Sequence, residues 1–130
     1  MAGAKTFQEL IAWQRARELK KLVYALTNRS ACRREPTLRA QLRDAAKGPP
    51  AHIAEGFGRK RPRDFSRFLT IARSSLDETE NHLIDGIDLG LWKEEELDAI
   101  YRELRRAKTA ISRLQEYLNN CDPDFGSPDS

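Results

Sequence analysis

Apolar residues repeat every seven positions near the end of the chain, and this repeat is the feature that most limits its fold. One series, spaced by seven, consists of Leu97, Leu104, Ile111 and Leu118. Its companion series consists of Ile100, Ala107 and Leu114. A seam of this kind is typical of a helix that packs lengthwise against other helices. The repeat therefore predicts a helix over residues 93–119, with three glutamates in a first turn where the helix dipole favours anions.

Long stretches of the chain contain no glycine or proline. Residues 4–35, 63–85 and 91–122 lack both, and each stretch carries apolar residues at helical spacing. Sustained alternation of apolar and polar residues, the signal for strands, is absent. The pattern predicts four helices, at about residues 7–28, 36–57, 62–87 and 93–119. Thr6 and Glu9 form a capping-box pattern at the start of the first helix.

Four helices of this length, joined by short connections, predict an all-α, up-down-up-down antiparallel four-helix bundle. Residues 1–119 would form this single domain, and the polar residues 120–130 would form a flexible C-terminal tail. Pro49-Pro50 falls inside the second helix, where each proline removes an N–H donor and clashes with the carbonyl four residues back. We expect a kink, or two stacked half-helices, rather than a chain reversal, because the apolar period resumes in register at Ile53.

Hydropathy and cysteine content predict a cytoplasmic protein without a membrane partner. The longest apolar run has five residues, from Leu22 to Leu26, whereas a membrane-spanning helix needs about 20. The N-terminal residues lack the apolar core of a signal peptide. The bundle topology places Cys32 and Cys121 at opposite ends, roughly 30 Å apart, so both are predicted to be free thiols.

The net charge of +3 conceals an asymmetric distribution of charge along the chain. Residues 1–70 carry 16 basic and 6 acidic side chains, whereas residues 71–130 carry 7 and 14. In the predicted bundle, a basic hairpin of the first two helices would lie beside an acidic hairpin of the last two.

The densest basic segment lies between the second and third predicted helices. Its candidate nucleic-acid-binding residues are Arg59, Lys60, Arg61, Arg63 and Arg67. Three more candidates on the second helix are Arg39, Arg43 and Lys47. Guanidinium groups beside flexible glycines and a helix N-terminus are suited to phosphate, which favours RNA or DNA as the partner. The alternative is a solvated loop whose charges keep the protein soluble.

The first helix carries more apolar residues than one buried stripe requires. The surplus residues, which we interpret as an oligomer interface, are Leu10, Ile11, Trp13 and Leu22. In a cyclic assembly each contact joins two different faces, so the basic hairpin of one copy would meet the acidic hairpin of the next. A structural or protein-binding scaffold, whose charges serve assembly without nucleic acid, is therefore the alternative function.

Enzymatic activity, metals and cofactors are not expected. A di-iron bundle needs Glu-x-x-His motifs, but Pro49 and Thr79 stand three residues before the two histidines. The sequence has no Cys-x-x-Cys, no Gly-x-Ser-x-Gly and no phosphate-cradling glycine motif. Without a convergent nucleophile, acid or base, the chain is predicted to be no enzyme.

Six short motifs, spread from Phe7 to Gly90, resemble the proteins encoded in intervening sequences of bacterial 23S ribosomal RNA genes. The motifs are Phe7-x-x-Leu10-x-x-Trp13-Gln14-x-Ala16, Gln41-Leu42-Arg43-x-Ala45-Ala46, Pro50-Ala51-x-Ile53-Ala54-Glu55-Gly56-x-Gly58-Arg59, Phe65-x-Arg67-Phe68-Leu69-x-Ile71-Ala72, Ser75-Leu76-x-Glu78 and Leu89-Gly90. The family usually reads Ser-(Ile/Val)-Pro-Ala-Asn where this chain has Gly48-Pro49-Pro50-Ala51-His52.

The resemblance implies a four-helix bundle that assembles as a ring-shaped homopentamer without enzymatic activity. A related branch is the accessory variability protein of diversity-generating retroelements, a basic pentamer that binds nucleic acid and a reverse transcriptase. The partners implied are therefore a second copy of the chain, RNA or DNA, and a nucleic-acid enzyme such as a reverse transcriptase.

Overall fold

The computed structural model describes residues 3–121 and consists of four α-helices joined by short connections. The helices are α1 (Ile11–Thr27), α2 (Pro36–Phe57), α3 (Pro62–Asp88) and α4 (Asp98–Cys121). Three 3-10 turns accompany them, at Phe7–Glu9, Ser30–Arg34 and Glu94–Leu97. No strand occurs within the described residues, so the all-α prediction is confirmed.

Each helix packs against two neighbours, which closes the bundle in the order α1, α2, α3, α4. Contacts between neighbours show that they run antiparallel. The end of α1 meets the start of α2, where Arg39 Nε donates to the carbonyl of Thr27 at 3.0 Å. The start of α3 meets the end of α4, where Gln115 Nε2 donates to the carbonyl of Ser66 at 3.1 Å. The up-down-up-down four-helix bundle is thus confirmed.

The first helix begins four residues later than predicted. The capping box of Thr6 and Glu9 is present, with the Thr6 amide donating to Glu9 Oε2 at 3.0 Å, but it caps the 3-10 turn. Leu10 then adopts an extended conformation (φ −74°, ψ 128°) and is buried, and α1 starts at Ile11. Burial of Leu10 fixes this bend, because a continuous helix would place the residue at a different angle to the core.

The fourth helix also begins later than predicted. Glu96 reaches back to accept a hydrogen bond from the Lys93 amide at 3.3 Å, which closes a 3-10 turn over Glu94–Leu97. The α-helix itself starts at Asp98 and continues to Cys121. Of the predicted tail, residues 120 and 121 therefore belong to α4, and residues 122–130 lie outside the described residues.

The second helix runs without interruption through Pro49 and Pro50. The chain therefore does not reverse at the two prolines, as predicted. Both prolines are buried. Lacking N–H groups, they leave the carbonyls of Ala45 and Ala46 without their usual helical donors. The kink expected at this point stays a prediction.

The core is lined by the residues that the apolar periods select. All seven residues of the α4 seam are buried, and α1 contributes its stripe of small and aliphatic residues. That stripe consists of Ala12, Ala16, Leu19, Val23 and Leu26. Both cysteines are free, with Cys32 buried and Cys121 exposed. Burial raises the pKa of the Cys32 thiol, which keeps it protonated and unreactive.

The helices are amphipathic rather than uniformly apolar. Within residues 3–121, none combines the length and apolar character needed to cross a membrane.

Candidate nucleic-acid interface

The turn between α2 and α3 places five basic side chains at one end of the bundle. α2 ends at Phe57, and the amide of the next residue, Gly58, donates to the carbonyl of Glu55 at 3.2 Å. Arg61 is extended (φ −99°, ψ 133°) and precedes Pro62, the first residue of α3. No side chain caps this helix start, so its first backbone N–H groups still need acceptors.

Lys60 and Arg61 are cations of this turn that are exposed to solvent and have no acidic partner among the described residues. Both side chains are exposed. Within the described part of the chain, neither forms an ion pair. Together with the uncapped start of α3, they give this end of the bundle a positive surface suited to an anion.

Arg59 and Arg67 are exposed but have weak partners. The Arg59 guanidinium lies 4.7 Å from the centre of the Phe68 ring and 3.8 Å from a carboxylate oxygen of Glu55. Arg67 lies 3.4 Å from a carboxylate oxygen of Asp64. Exposed ion pairs of this kind contribute little free energy, so a phosphate can compete for both arginines.

Arg63 differs from the other basic residues of the turn because it is half-buried. Its Nη1 atom is buried and finds no hydrogen-bond acceptor among the described residues. Arg63 therefore adds positive charge near the surface, but its side chain is less exposed to solvent than the side chains of Lys60 and Arg61.

Two of the predicted nucleic-acid-binding residues instead join α1 to α2. Arg43 donates to Thr27 Oγ1 at 3.0 Å and stacks on the Tyr24 ring, with its guanidinium carbon 4.1 Å from the ring centre. Arg39 donates to the backbone of the same threonine. Both side chains are half-buried, so their hydrogen-bonding groups are committed to the fold rather than open to a ligand.

The eight predicted residues do not form one surface. Arg39 lies near the start of α2 and Arg59 follows its end, so they are separated by about 30 Å along the helix axis. Lys47 lies between them, exposed and 3.4 Å from a carboxylate oxygen of Asp44. The structure brings together only the five residues of the α2–α3 turn.

Sequence reasoning missed a second basic surface, between α1 and α4. An open groove of about 1070 Å³ runs between the start of α1 and the outer face of α4. Its floor is apolar, with Ile11 65 % exposed and Tyr117 37 % exposed. The arginines that line it are Arg15, Arg102, Arg105, Arg106 and Arg113.

These arginines show that the acidic charge of the last two helices is concentrated in α3 and in the connection to α4, whereas α4 itself is net basic. α4 carries five basic and three acidic side chains, whereas α3 carries three and six. The acidic excess of residues 71–130 resides in α3, in the residues before α4 and in residues 122–130. Counting charges by helix face, rather than by half of the chain, would have revealed the arginines of α4 from the sequence.

The four predicted interface residues differ in exposure. Leu10 is only 4 % exposed, so it belongs to the core of its own chain and offers no surface to a neighbour. Trp13 is half-buried, with its ring 5.3 Å from the Phe7 ring and under the Arg17 guanidinium. Leu22 is also half-buried against the core, which leaves Ile11 as the exposed member of the set.

The two histidines each lie near carboxylates of their own helix. His82 lies 3.8 Å from a carboxylate oxygen of Glu78 and 3.7 Å from one of Asp85, with its own side chain largely buried. His52 is 4.0 Å from a carboxylate oxygen of Glu55. Across residues 3–121, no group of three or more His, Cys, Asp or Glu side chains has the arrangement that a metal ion requires.

Four antiparallel helices with a basic turn at one end define a small helical-bundle protein. The model of the 23S rRNA-intervening sequence protein family matches residues 8–113. The chain therefore belongs to the family of 23S rRNA-intervening sequence proteins. Among curated proteins, none matches the chain.

Proposed function

We propose that this protein is a non-enzymatic, basic helical bundle that binds RNA or DNA through its α2–α3 turn. The observation that carries the proposal is the pair Lys60 and Arg61, exposed and without ion pairs among the described residues, beside the uncapped start of α3. Arg59 and Arg67 enlarge the same positive surface, with only exposed and weak partners.

Binding at this turn would read the backbone of the nucleic acid rather than its sequence. Lysine and arginine on a short turn reach phosphate oxygens, and each neutralised phosphate releases counterions, so affinity falls as salt rises. Sequence readout needs side chains that reach base edges from a helix or ribbon inserted in a groove. The turn has no such element, which favours non-specific binding.

The resemblance to the intervening-sequence family, and to the retroelement accessory protein as a related branch of it, suggests two further parts of the proposal. The protein would assemble as a homopentamer in the cytoplasm, and it would serve as an accessory factor to a nucleic-acid enzyme such as a reverse transcriptase. A ring that repeats the α2–α3 turn would bind a polyanion through several equivalent sites, and linked sites raise affinity well above that of one turn.

The turn is tested by measuring binding of a generic RNA and a duplex DNA at low and at physiological salt. Changing Arg59, Lys60, Arg61 and Arg63 together to serine should abolish binding at low salt without loss of helicity. The matched control changes Lys20, Lys21, Arg33 and Arg34 to serine, which removes the same charge from α1 and the α1–α2 connection. Unchanged affinity in the first variant, or equal loss in both, would refute the turn as the site.

A protein-binding scaffold is the alternative, and exposed apolar side chains favour it. Ile71 and Ile84 on α3 are 40 % and 44 % exposed, and Ile11 on α1 is more exposed than either. Light scattering at micromolar concentration measures the molecular mass, and the mass of a monomer would refute assembly into a homopentamer. An oligomer that binds no nucleic acid at low salt would support the scaffold instead. Trp13→Ala should lower the oligomeric order, with helicity retained, if this residue anchors an interface.

A further inference from the structure

The groove between α1 and α4 combines features that nucleic-acid binding at the α2–α3 turn does not use. Its apolar floor includes exposed Ile11 and Tyr117 above the buried residues Leu10 and Leu114. Arginines line its length along α4, from Arg102 to Arg113. An apolar floor with a positive rim is suited to an acidic peptide that also carries an aromatic side chain.

Three of the five groove arginines have no acidic partner within residues 3–121. Arg15 and Arg106 both lie near Glu103, at 3.8 Å and 2.9 Å from its Oε1 atom. Within residues 3–121, Arg102, Arg105 and Arg113 form no ion pair. Among the residues that the structure describes, Glu9 is the one acid that lines the groove, and its carboxylate already accepts hydrogen bonds from the amides of Lys5 and Thr6.

We propose that the groove binds the chain's own segment of residues 122–130. The sequence of this segment is Asp122-Pro123-Asp124-Phe125-Gly126-Ser127-Pro128-Asp129-Ser130. It carries three carboxylates and no cation, which matches the three arginines without ion pairs. Phe125 is the one large apolar residue of the segment. In the proposed contact its ring covers Ile11 and Tyr117 on the floor of the groove.

The position and length of the segment allow this contact. Tyr117, at one end of the groove, precedes Cys121 by one helical turn, and residue 122 follows directly. Proline at position 123 has no N–H group and disfavours the helical conformation of the residue before it. Nine extended residues span up to about 30 Å, and the groove from Tyr117 to Arg102 is about 22 Å long.

Two acidic side chains of α3 already have a cationic partner on α4. Asp77 and Glu80 of α3 are already held by Lys108, whose Nζ atom lies 2.8 Å and 3.1 Å from their carboxylates. A segment tethered to α4 meets the groove at an effective concentration on the order of millimolar. The tether therefore favours the chain's own segment over an acidic peptide from another molecule.

The test compares the full chain with a variant that ends at Cys121, by NMR with labelled isoleucine methyl groups. In the full chain we expect a nuclear Overhauser effect between the Phe125 ring and the Ile11 methyl group. Removing residues 122–130 should shift the Ile11 and Tyr117 signals while the Ile71 and Ile84 methyl signals of α3 stay in place. A synthetic peptide of residues 122–130 should restore the original Ile11 shift in the shortened chain.

Point variants of the full chain keep the test independent of the deletion. Phe125→Ser should reproduce the shifts of the shortened chain, and Ser127→Ala, two residues further on, should not. An Ile11 signal that is identical in all variants would overturn the proposal. So would an Ile11 shift that follows protein concentration and molecular mass, because a second copy would then occupy the groove.

Discussion

The guanidinium group of Arg43 lies over the aromatic ring of Tyr24, with 4.1 Å between its central carbon and the ring centre. The same guanidinium donates a hydrogen bond to Thr27 Oγ1 at 3.0 Å. Thr27 is 1 % exposed and donates its own hydroxyl proton to the carbonyl of Val23. Arg43 therefore joins α2 to the last turn of α1, and a residue that the sequence presents as a ligand-binding cation has a structural role.

Replacing Arg43 should lower stability and leave nucleic-acid affinity unchanged. Arg43→Ala removes the stacking on Tyr24 and a hydrogen bond to a buried hydroxyl, which together correspond to about 1–2 kcal/mol in the free energy of unfolding. Urea denaturation followed by circular dichroism measures this loss. The control, Lys47→Ala one turn further along α2, should change stability by less than about 0.5 kcal/mol. Lost RNA binding at full stability would contradict the structural role.

Gly86 should tolerate no larger side chain. The Trp92 indole packs against this glycine, and its Nε1 donates to the carbonyl of Leu83 at 2.9 Å. A Cβ atom at position 86 would lie 2.0 Å from Trp92 Cζ2, so Gly86→Ala must displace the ring. Overpacking of this kind costs about 1–3 kcal/mol in the free energy of unfolding. Urea denaturation and the near-ultraviolet circular dichroism of the buried indole measure the change.

Gly58→Ala is the matched control for Gly86. Gly58 has φ −75°, and a Cβ atom there meets only the Glu55 carbonyl oxygen at 3.5 Å, an ordinary contact. Alanine at position 58 should therefore leave stability unchanged or raise it slightly, because it restricts the unfolded chain. Equal destabilisation by both substitutions would mean that contact with Trp92 is not the cause.

The ion pair of Arg29 and Glu96 should make stability depend on acidity. A hydrogen bond from Arg29, aided by the Lys93 amide, holds the pKa of Glu96 below its ordinary value. A lowered pKa means that the folded protein binds this proton more weakly than the unfolded chain does. The ion pair therefore stabilises the fold above the ordinary carboxyl pKa of about 4.3, and its contribution is lost as pH falls through the lower, folded value.

Glu96→Gln tests this dependence. The variant should show a smaller loss of stability than the original protein between neutral pH and about pH 3, because the proton-linked contribution is absent. Urea midpoints measured across this range give the comparison. Glu95→Gln is the control, since the neighbouring Glu95 forms no ion pair within the described residues. Identical pH profiles for Glu96→Gln and the original protein would contradict the assignment.

Much of the bundle could be predicted from the sequence, because burial follows a local period. The residues at seven-residue spacing in α4 are buried, and α2 and α3 begin at the predicted prolines. The starts of α1 and α4 were wrong by four and five residues. A capping box looks the same in a sequence whether it closes a 3-10 turn or an α-helix, so this local pattern does not locate the first residue of the α-helix.

The candidate site could be predicted only in part, because the availability of a cation depends on its tertiary contacts. Lys60 and Arg61 lie on a turn and stay exposed, as their sequence context indicates. Arg39 and Arg43 meet Thr27 across the α1–α2 contact, which no local pattern reveals. The arginines of α4 share a groove with Ile11 because α1 and α4 are neighbours in space, although most of the chain separates them in sequence.

The salt dependence of RNA binding should report how many phosphates the α2–α3 turn neutralises. The logarithm of the binding constant falls linearly with the logarithm of the salt concentration. If Lys60 and Arg61 each neutralise one phosphate of a single strand, each residue contributes about 0.7 to the steepness of this fall. Changing both residues to glutamine should therefore reduce the slope by about 1.4 for single-stranded RNA, and by about 1.8 for duplex DNA. Fluorescence anisotropy titrations at several salt concentrations measure the slopes.

The control changes Arg33 and Arg34 to glutamine, which removes the same charge from the α1–α2 connection at the other end of the bundle. That variant should retain the original slope, because the long-range field of exposed charges is screened within about 10 Å at 0.1 M salt. A weaker affinity with an unchanged slope in the Lys60 and Arg61 variant would show that neither side chain neutralises a phosphate, and the turn would not be the binding site.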